Sequence, residues 1–167
     1  MDRRLFLHGH ILDLGCGLGN LSIEAARRGC TVICLDASAT AVDHINKTAA
    51  SEGLAIRAET ADLTSFRIEE DFDAIVSIGL LMFMTSSQAG ELVQDIRSHV
   101  KPEGAAIVNV LTELTTYLGM FEPGHYLLFG IGELEHEFSG WRILELRHDS
   151  FDAPRNTVKV FDTIVTR

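Results

Sequence analysis

Ile11-Leu12-Asp13-Leu14-Gly15-Cys16-Gly17-Leu18-Gly19-Asn20-Leu21-Ser22 is the stretch on which the fold turns. A short apolar run ends in three glycines at alternate positions, and Ile23-Glu24-Ala25-Ala26-Arg27-Arg28 follows with good helix formers and one apolar face. The pattern predicts strand, tight turn and helix, the opening unit of a doubly wound α/β sheet. Glycine is required because the chain reverses sharply and its backbone must approach a ligand with no Cβ in the way. The first N–H groups of the helix open into the same space.

Spacing and neighbours select the ligand. Dinucleotide turns read G-x-G-x-x-G, whereas Asn20 occupies the position of the third glycine here and Gly19 lies one residue early. Asp13, at the strand tip, would meet a pyrophosphate at close range, a costly encounter in a partly dry site. A cationic ligand would be attracted instead. S-adenosylmethionine carries an ammonium and a sulfonium and no phosphate, so the Asp13, Gly15, Gly17, Gly19 spacing favours it over NAD. Asp13-Leu14-Gly15-Cys16-Gly17-Leu18-Gly19 resembles motif I of the class I S-adenosylmethionine-dependent methyltransferases.

The chain has 167 residues, which predicts a single domain over 1–167 with insertions and no large second domain. Its formal net charge of -10 disfavours nucleic acid and anionic lipid as partners and favours a small molecule. Three cysteines, Cys16, Cys30 and Cys34, form no C-x-x-C pair, so neither a disulfide framework nor a metal site is expected, and a reducing cytoplasm fits. No signal peptide and no apolar run of membrane-spanning length is seen. Met1 to Gly9 is brief and basic at Arg3 and Arg4, so the N-terminal lid usual in the resembled family is expected to be missing.

Thr31 to Asp36 predicts a second buried strand, apolar on both faces as parallel strands are. Asp36 closes it roughly 20 residues past the glycine turn, where Rossmann-type sites place an acid on ribose hydroxyls. Ser38 to Ser51 predicts a helix with Ala41, Ile45, Thr48 and Ala49 inward. Leu54 to Glu59 predicts a polar edge strand, followed by Asp62. An Asp at this place accepts from the adenine amine in the resembled family. Phe72 to Gly79 predicts a fourth strand whose tip faces the first across the cleft, with Met82 and Phe83 as apolar lining or core. The cofactor set is therefore Asp13, Gly15, Cys16, Gly17, Gly19, Asp36, Ala37, Asp62, Leu63 and Ser77, holding S-adenosylmethionine and, after reaction, its homocysteine product.

Ser86 to Val100 predicts a helix, Lys101 to Gly104 a turn, and Ala105 to Leu111 a fifth strand. Residues 112–132, with Tyr117, Phe121, Tyr126 and Phe129, predict an insertion over the substrate mouth, since such sheets bind at the carboxyl ends of their strands. A short helix from Gly132 to Phe138 and two strands, Trp141–Leu146 and Thr157–Val165, close the chain as an antiparallel hairpin. The expected fold is thus α/β, a Rossmann-like class I methyltransferase with a mostly parallel seven-stranded sheet and helices on both faces.

Met82-Phe83, Phe129, Gly132-Glu133-Leu134 and Phe138-Ser139-Gly140-Trp141 further resemble the tellurite-resistance (TehB-like) methyltransferases. That resemblance implies methyl transfer to a small acceptor such as a tellurite or selenite oxyanion; a thiol in its thiolate form is the other acceptor that needs no general base. It also directs attention to His148 and Arg155 in the last hairpin, as groups that hold an anionic acceptor. Strand alternation predicts Arg142 and His148 on one face and Arg147 on the other. Two alternatives stay open: a binding module of the same fold without turnover, and an NAD-dependent oxidoreductase, which Asp13 disfavours. The acceptor and the oligomeric state, a dimer included, are not specified by these residues.

Overall fold

The apolar runs that end at Leu14, Asp36 and Ile78 become neighbours in one parallel sheet. The computed structural model describes residues 7–167, so Arg3 and Arg4 lie outside the described residues. Seven strands, β1 (His10–Leu14), β2 (Thr31–Asp36), β3 (Ile56–Thr60), β4 (Phe72–Ile78), β5 (Val100–Leu111), β6 (Ile143–Ala153) and β7 (Thr157–Thr166), run in the order β3-β2-β1-β4-β5-β7-β6. Only β7 opposes the rest, pairing antiparallel with both β5 and β6. Leu14 pairs with Leu35 on one side and Ser77 on the other, so the tips of β1, β2 and β4 end level. Chain order reverses at β1, and that reversal opens a crevice at the carboxyl edge.

Helices α1 (Asn20–Arg27) and α2 (Ala39–Glu52) cover one face, setting Ala25, Ala26, Val42 and Ile45 against Ile11, Val32, Cys34 and Val76. Helices α3 (Ser86–His99) and α4 (Glu133–Glu137) cover the other, where Leu92, Val93, Ile96 and Leu134 meet Leu12, Leu14, Ile75 and Val108. Sandwiching on both sides explains why β1, β2 and β4 read as continuous apolar runs rather than alternating ones. The α2 stripe differs from the expected one by one residue. Val42 is buried in place of Thr48, whose hydroxyl donates back to the His44 carbonyl. Ser38 caps α2 by accepting from the Ala41 N–H, and Thr85 with Gln88 forms a capping box on α3.

Three features depart from the sequence expectation. β5 starts at Val100 rather than Ala105: Val100 pairs with Phe72 and Ala105 with Ala74, and the extra residues between bulge out with Glu103 at φ 65°. β6 continues to Ala153 instead of stopping at Leu146, which places His148 in mid-strand and only Arg155 in the hairpin turn. A register shift between Ile143 and Glu145 puts Leu144 and Leu146 on opposite faces of the sheet, so Arg142 and His148 do not share a face. One extra residue inverts the alternation for everything beyond it.

Residues 112–132 carry no helix or strand and lie over the carboxyl edge, as expected. Tyr117 N–H donates to the Val158 carbonyl and Leu127 N–H to the Met82 carbonyl, which fasten the insertion at both ends of the crevice. No helix among the described residues is long and apolar enough to cross a membrane, and no metal-binding cluster occurs among them.

Beneath the glycine turn, Asp13 is 4% exposed and accepts a 2.5 Å hydrogen bond from the Ser22 hydroxyl on α1. Burial raises its carboxyl to about 6, against the lowering effect of Ser22 and with a further upward push from the Asp36 charge. A carboxyl raised on folding stabilises the fold below its unfolded pKa, and that contribution is lost as pH rises through the folded value. Replacing Asp13 with Asn removes the titration and keeps an acceptor for Ser22. The unfolding free energy of Asp13→Asn relative to the unaltered chain should therefore shift by about 3 kcal/mol in favour of the variant between about pH 4 and pH 7. Urea titrations across that window measure it, and a constant difference would contradict the assignment. Gly19, at φ 72°, has no room for a side chain, since a Cβ would stand 2.7 Å from Ile45 Cγ1. Gly19→Ala should cost about 1 to 3 kcal/mol in the same titration by forcing α1 away from α2.

Candidate active site

The turn after β1 is built by its backbone. Gly15, Gly17 and Gly19 all have positive φ, at 71°, 52° and 72°. Gly15 and Cys16 both donate their N–H groups to the Leu35 carbonyl, at 2.8 and 3.2 Å, which pins the turn to the tip of β2. Asp36, the next residue, accepts the Gly17 N–H on Oδ2 at 2.8 Å and the Ser38 N–H on Oδ1 at 2.8 Å. One carboxylate thus joins the glycine turn to the start of α2. A carboxylate offers about four lone-pair sites, so each oxygen of Asp36 keeps one for a ligand.

Asp36 faces a cavity of about 350 Å³ at the sheet's point of reversal, and Gly15, Ala37, Asp62 and Leu63 share its wall. A small-molecule site has this size or somewhat more. Asp62 lies in the turn after β3, where its Oδ1 accepts from both the N–H and the hydroxyl of Thr64. Those bonds, the hydroxyl's first, hold the Asp62 carboxyl below the ordinary carboxylate range, so it is a charged acceptor at neutral pH. Phe83 completes the far wall together with Leu80 and Met84 from the turn after β4, while Met82 is turned into the core.

Thr64, Gly79, Leu80 and Met84 line the cavity and were not singled out in the sequence. A rule was available, since each lies within a few residues of a predicted strand's carboxyl end. Other expected members stand elsewhere. Asp13 is beneath the turn, not on the wall. The Asp36 charge above it adds to the burial that raises its carboxyl. Gly17 and Gly19 shape the turn without lining the cavity. The Cys16 thiol hydrogen-bonds Cys34 below it, and that bond together with burial raises it well above an ordinary thiol. Ser77 is fully buried, and its hydroxyl has no hydrogen-bond partner among the described residues. It is enclosed below the cavity and does not line its wall.

The hairpin groups also lie apart from this cavity. His148 is on the outermost strand, three strand spacings or about 14 Å from β4. Its Nδ1 is 2.6 Å from Asp162 Oδ1, and this hydrogen bond, reinforced by the Asp162 charge, raises the imidazole above its usual pKa. Arg155, in the turn between β6 and β7, lines a second cavity of about 390 Å³ with Thr116, Tyr117 and Gly119. Because β7 starts beyond Leu111, that turn projects from the same carboxyl edge as the first cavity.

The residues of the first cavity fit S-adenosylmethionine by the chemistry of their donors and acceptors. Two carboxylates stand ready for ribose hydroxyls and an adenine amine, Ala37 and Leu63 offer apolar surface, and Gly15 lets the backbone come close. Residues 11–104, more than half of the chain, match the family model described as Methyltransferase domain. The probable S-adenosyl-L-methionine-dependent methyltransferase TehB of Haemophilus influenzae is 26% identical over 163 residues, covering 94% of this chain and 56% of that protein. Hemagglutinin 1 of Eikenella corrodens is 28% identical over 137 residues, 80% of this chain and 44% of the relative. The chain spans about half the length of these curated relatives. The crystal structure of TehB from Haemophilus influenzae aligns with a TM-score of 0.82 at 23% identity, over 95% of this chain and 57% of that one. A sheet that carries β7 reversed between β5 and β6, closed over a D-x-G-x-G-x-G turn and matched across residues 11–104, places the chain in the methyltransferase-domain family, with the TehB-like class I S-adenosylmethionine-dependent enzymes as its relatives.

Proposed function

We propose that this chain transfers a methyl group from S-adenosylmethionine to a small-molecule acceptor at the mouth of the Asp36–Asp62 cavity. The observation that carries the proposal is the pair of carboxylates at the ends of β2 and β3, sharing one cavity with Gly15 at the sheet's point of reversal. Asp36 has the lone pairs for the two ribose hydroxyls, and Asp62 Oδ2 is outside the Thr64 bonds and serves the adenine amine. The bound sulfonium supplies an already activated methyl carbon: the acceptor's lone pair forms the new bond as the carbon–sulfur pair returns to sulfur. What the protein adds is alignment of nucleophile, carbon and sulfur, worth about 7 to 11 kcal/mol at best.

Of the acceptors, a metalloid oxyanion is supported by the resemblance to the tellurite-resistance enzymes alone, since His148 and Arg155 stand apart from the cavity. An uncharged acceptor such as a thiol is supported by the cavity itself, where the walls are acidic and apolar. Three free thiols and an acidic chain support a reducing, cytoplasmic setting and disfavour a nucleic-acid partner.

Methyl-labelled S-adenosylmethionine, incubated with the chain and a panel of tellurite, selenite, small thiols and small phenols, should yield labelled product above the uncatalysed rate. Binding without transfer to any acceptor would contradict the enzyme and leave a binding module. Asp36→Ala should weaken S-adenosylhomocysteine by about 1 to 3 kcal/mol, the range for losing a charged acceptor. It should also lower the melting temperature, since Gly17 and Ser38 lose their shared partner. A loss of stability with unchanged affinity would reduce Asp36 to a structural clasp.

A further inference from the structure

Three aromatic rings stand at the rim of the cofactor cavity and beside it. Phe83, at the end of the 3-10 turn Leu81–Phe83, lines that cavity and is 56% exposed. Its ring centroid is 5.2 Å from that of Phe121, and Phe121 is 5.4 Å from Tyr126. Phe121 and Tyr126 belong to the insertion, which the Leu127 N–H bond to the Met82 carbonyl holds beside Phe83. The rings therefore form one fixed surface that begins in the cavity and runs outward. Contiguous exposed apolar surface of this kind marks a binding site on a water-soluble face.

The charges around it sharpen the ligand class. Among the described residues lining the cavity there are two aspartates and no lysine or arginine. Arg155 lines a different cavity, and the Lys159 ammonium is 4.9 Å from the Tyr117 ring, outside this wall. An oxyanion placed against Phe83 would meet two carboxylates and the negative faces of the rings. A planar uncharged body would instead gain offset or edge contacts with Phe83 and Phe121.

We infer that the methyl acceptor carries a planar, apolar and uncharged body of one or two rings, and that Phe83 and Phe121 are the residues that select it. The inference rests on the methyl-transfer proposal and narrows its acceptor. Phe83 orients the end nearest the methyl group, and Phe121 with Tyr126 holds the far end. The nucleophile is then a thiol, hydroxyl or amine carried on the ring system: its lone pair takes the methyl carbon, the carbon–sulfur pair returns to sulfur, and its proton passes to water at the open mouth of the cavity.

Calorimetry on the chain saturated with S-adenosylhomocysteine tests this with catechol and 2-naphthol as probes, both uncharged at neutral pH. At least one should bind, and Phe83→Ala and Phe121→Ala should each weaken it by about ten-fold. Phe83→Tyr and Phe121→Tyr should retain binding, and S-adenosylhomocysteine affinity should be unchanged in the two Phe121 variants. With labelled cofactor, both alanine variants should raise KM for the aromatic acceptor, and Phe121→Ala should leave the KM for S-adenosylmethionine alone. Both substituted side chains reach solvent or the insertion's surface, so melting temperature serves as the control for folding. If neither probe binds the loaded protein, or binding ignores both substitutions, the inference is wrong while methyl transfer stands. Methylation of tellurite or selenite without aromatic binding overturns the acceptor class in the same way. A fall in S-adenosylhomocysteine affinity in Phe83→Ala would make the ring part of the cofactor site. Failure to bind S-adenosylhomocysteine at all overturns the methyl-transfer proposal and this inference with it.

Discussion

One carboxylate holds the site together. Asp36 accepts from Gly17 on one oxygen and from Ser38 on the other, so the glycine turn, the tip of β2 and the start of α2 have a common anchor. Neither N–H has another natural partner, because turn and helix start are the two places where backbone donors are left over. The Leu35 carbonyl, taking both Gly15 and Cys16, adds the second tie. Local stability thus runs through this side chain, and its charge adds to the burial that raises the Asp13 carboxyl below.

The rest of the fold places that anchor. Burying β1 on both faces fixes its tip, and the level ends of β2 and β4 bring Asp36 and the Gly79–Met84 turn to opposite sides of one crevice. Close approach of α1 to α2 at Gly19 and Ile45 sets the angle at which the turn leaves the strand. On the substrate side, β7 reversed between β5 and β6 carries the hairpin out past Leu111, and hydrogen bonds from Tyr117 to Val158 and Leu127 to Met82 lay the insertion across the gap. Acidic inner wall and aromatic outer wall are thus supplied by different parts of the chain.

Much of this was legible in the sequence, because buried parallel strands announce themselves as apolar runs and their tips by the residue that breaks the run. That logic pointed to Asp36, spacing pointed to the glycine turn, and the resemblance pointed to Asp62 and to a mostly parallel seven-stranded sheet. What escaped depended on single-residue shifts. The bulge between Ile143 and Glu145 inverted the faces assigned to Arg142 and His148, and no composition signal marks it. Ser77 was placed in the site although its side chain is enclosed below the cavity, a question of depth rather than position along the chain. The extra length of β6 was hidden because Arg147 to Asp152 is too polar to read as a strand, yet β7 pairs with it throughout.

We propose that the glycine turn and its two acids hold an adenosine ligand without phosphate and turn away a dinucleotide. Calorimetric titration of the chain at neutral pH with S-adenosylhomocysteine and, separately, with NAD measures this directly. Micromolar-range binding of the first with no comparable heat from the second is the predicted result. Tight NAD binding, or equal affinity for the two, would contradict it.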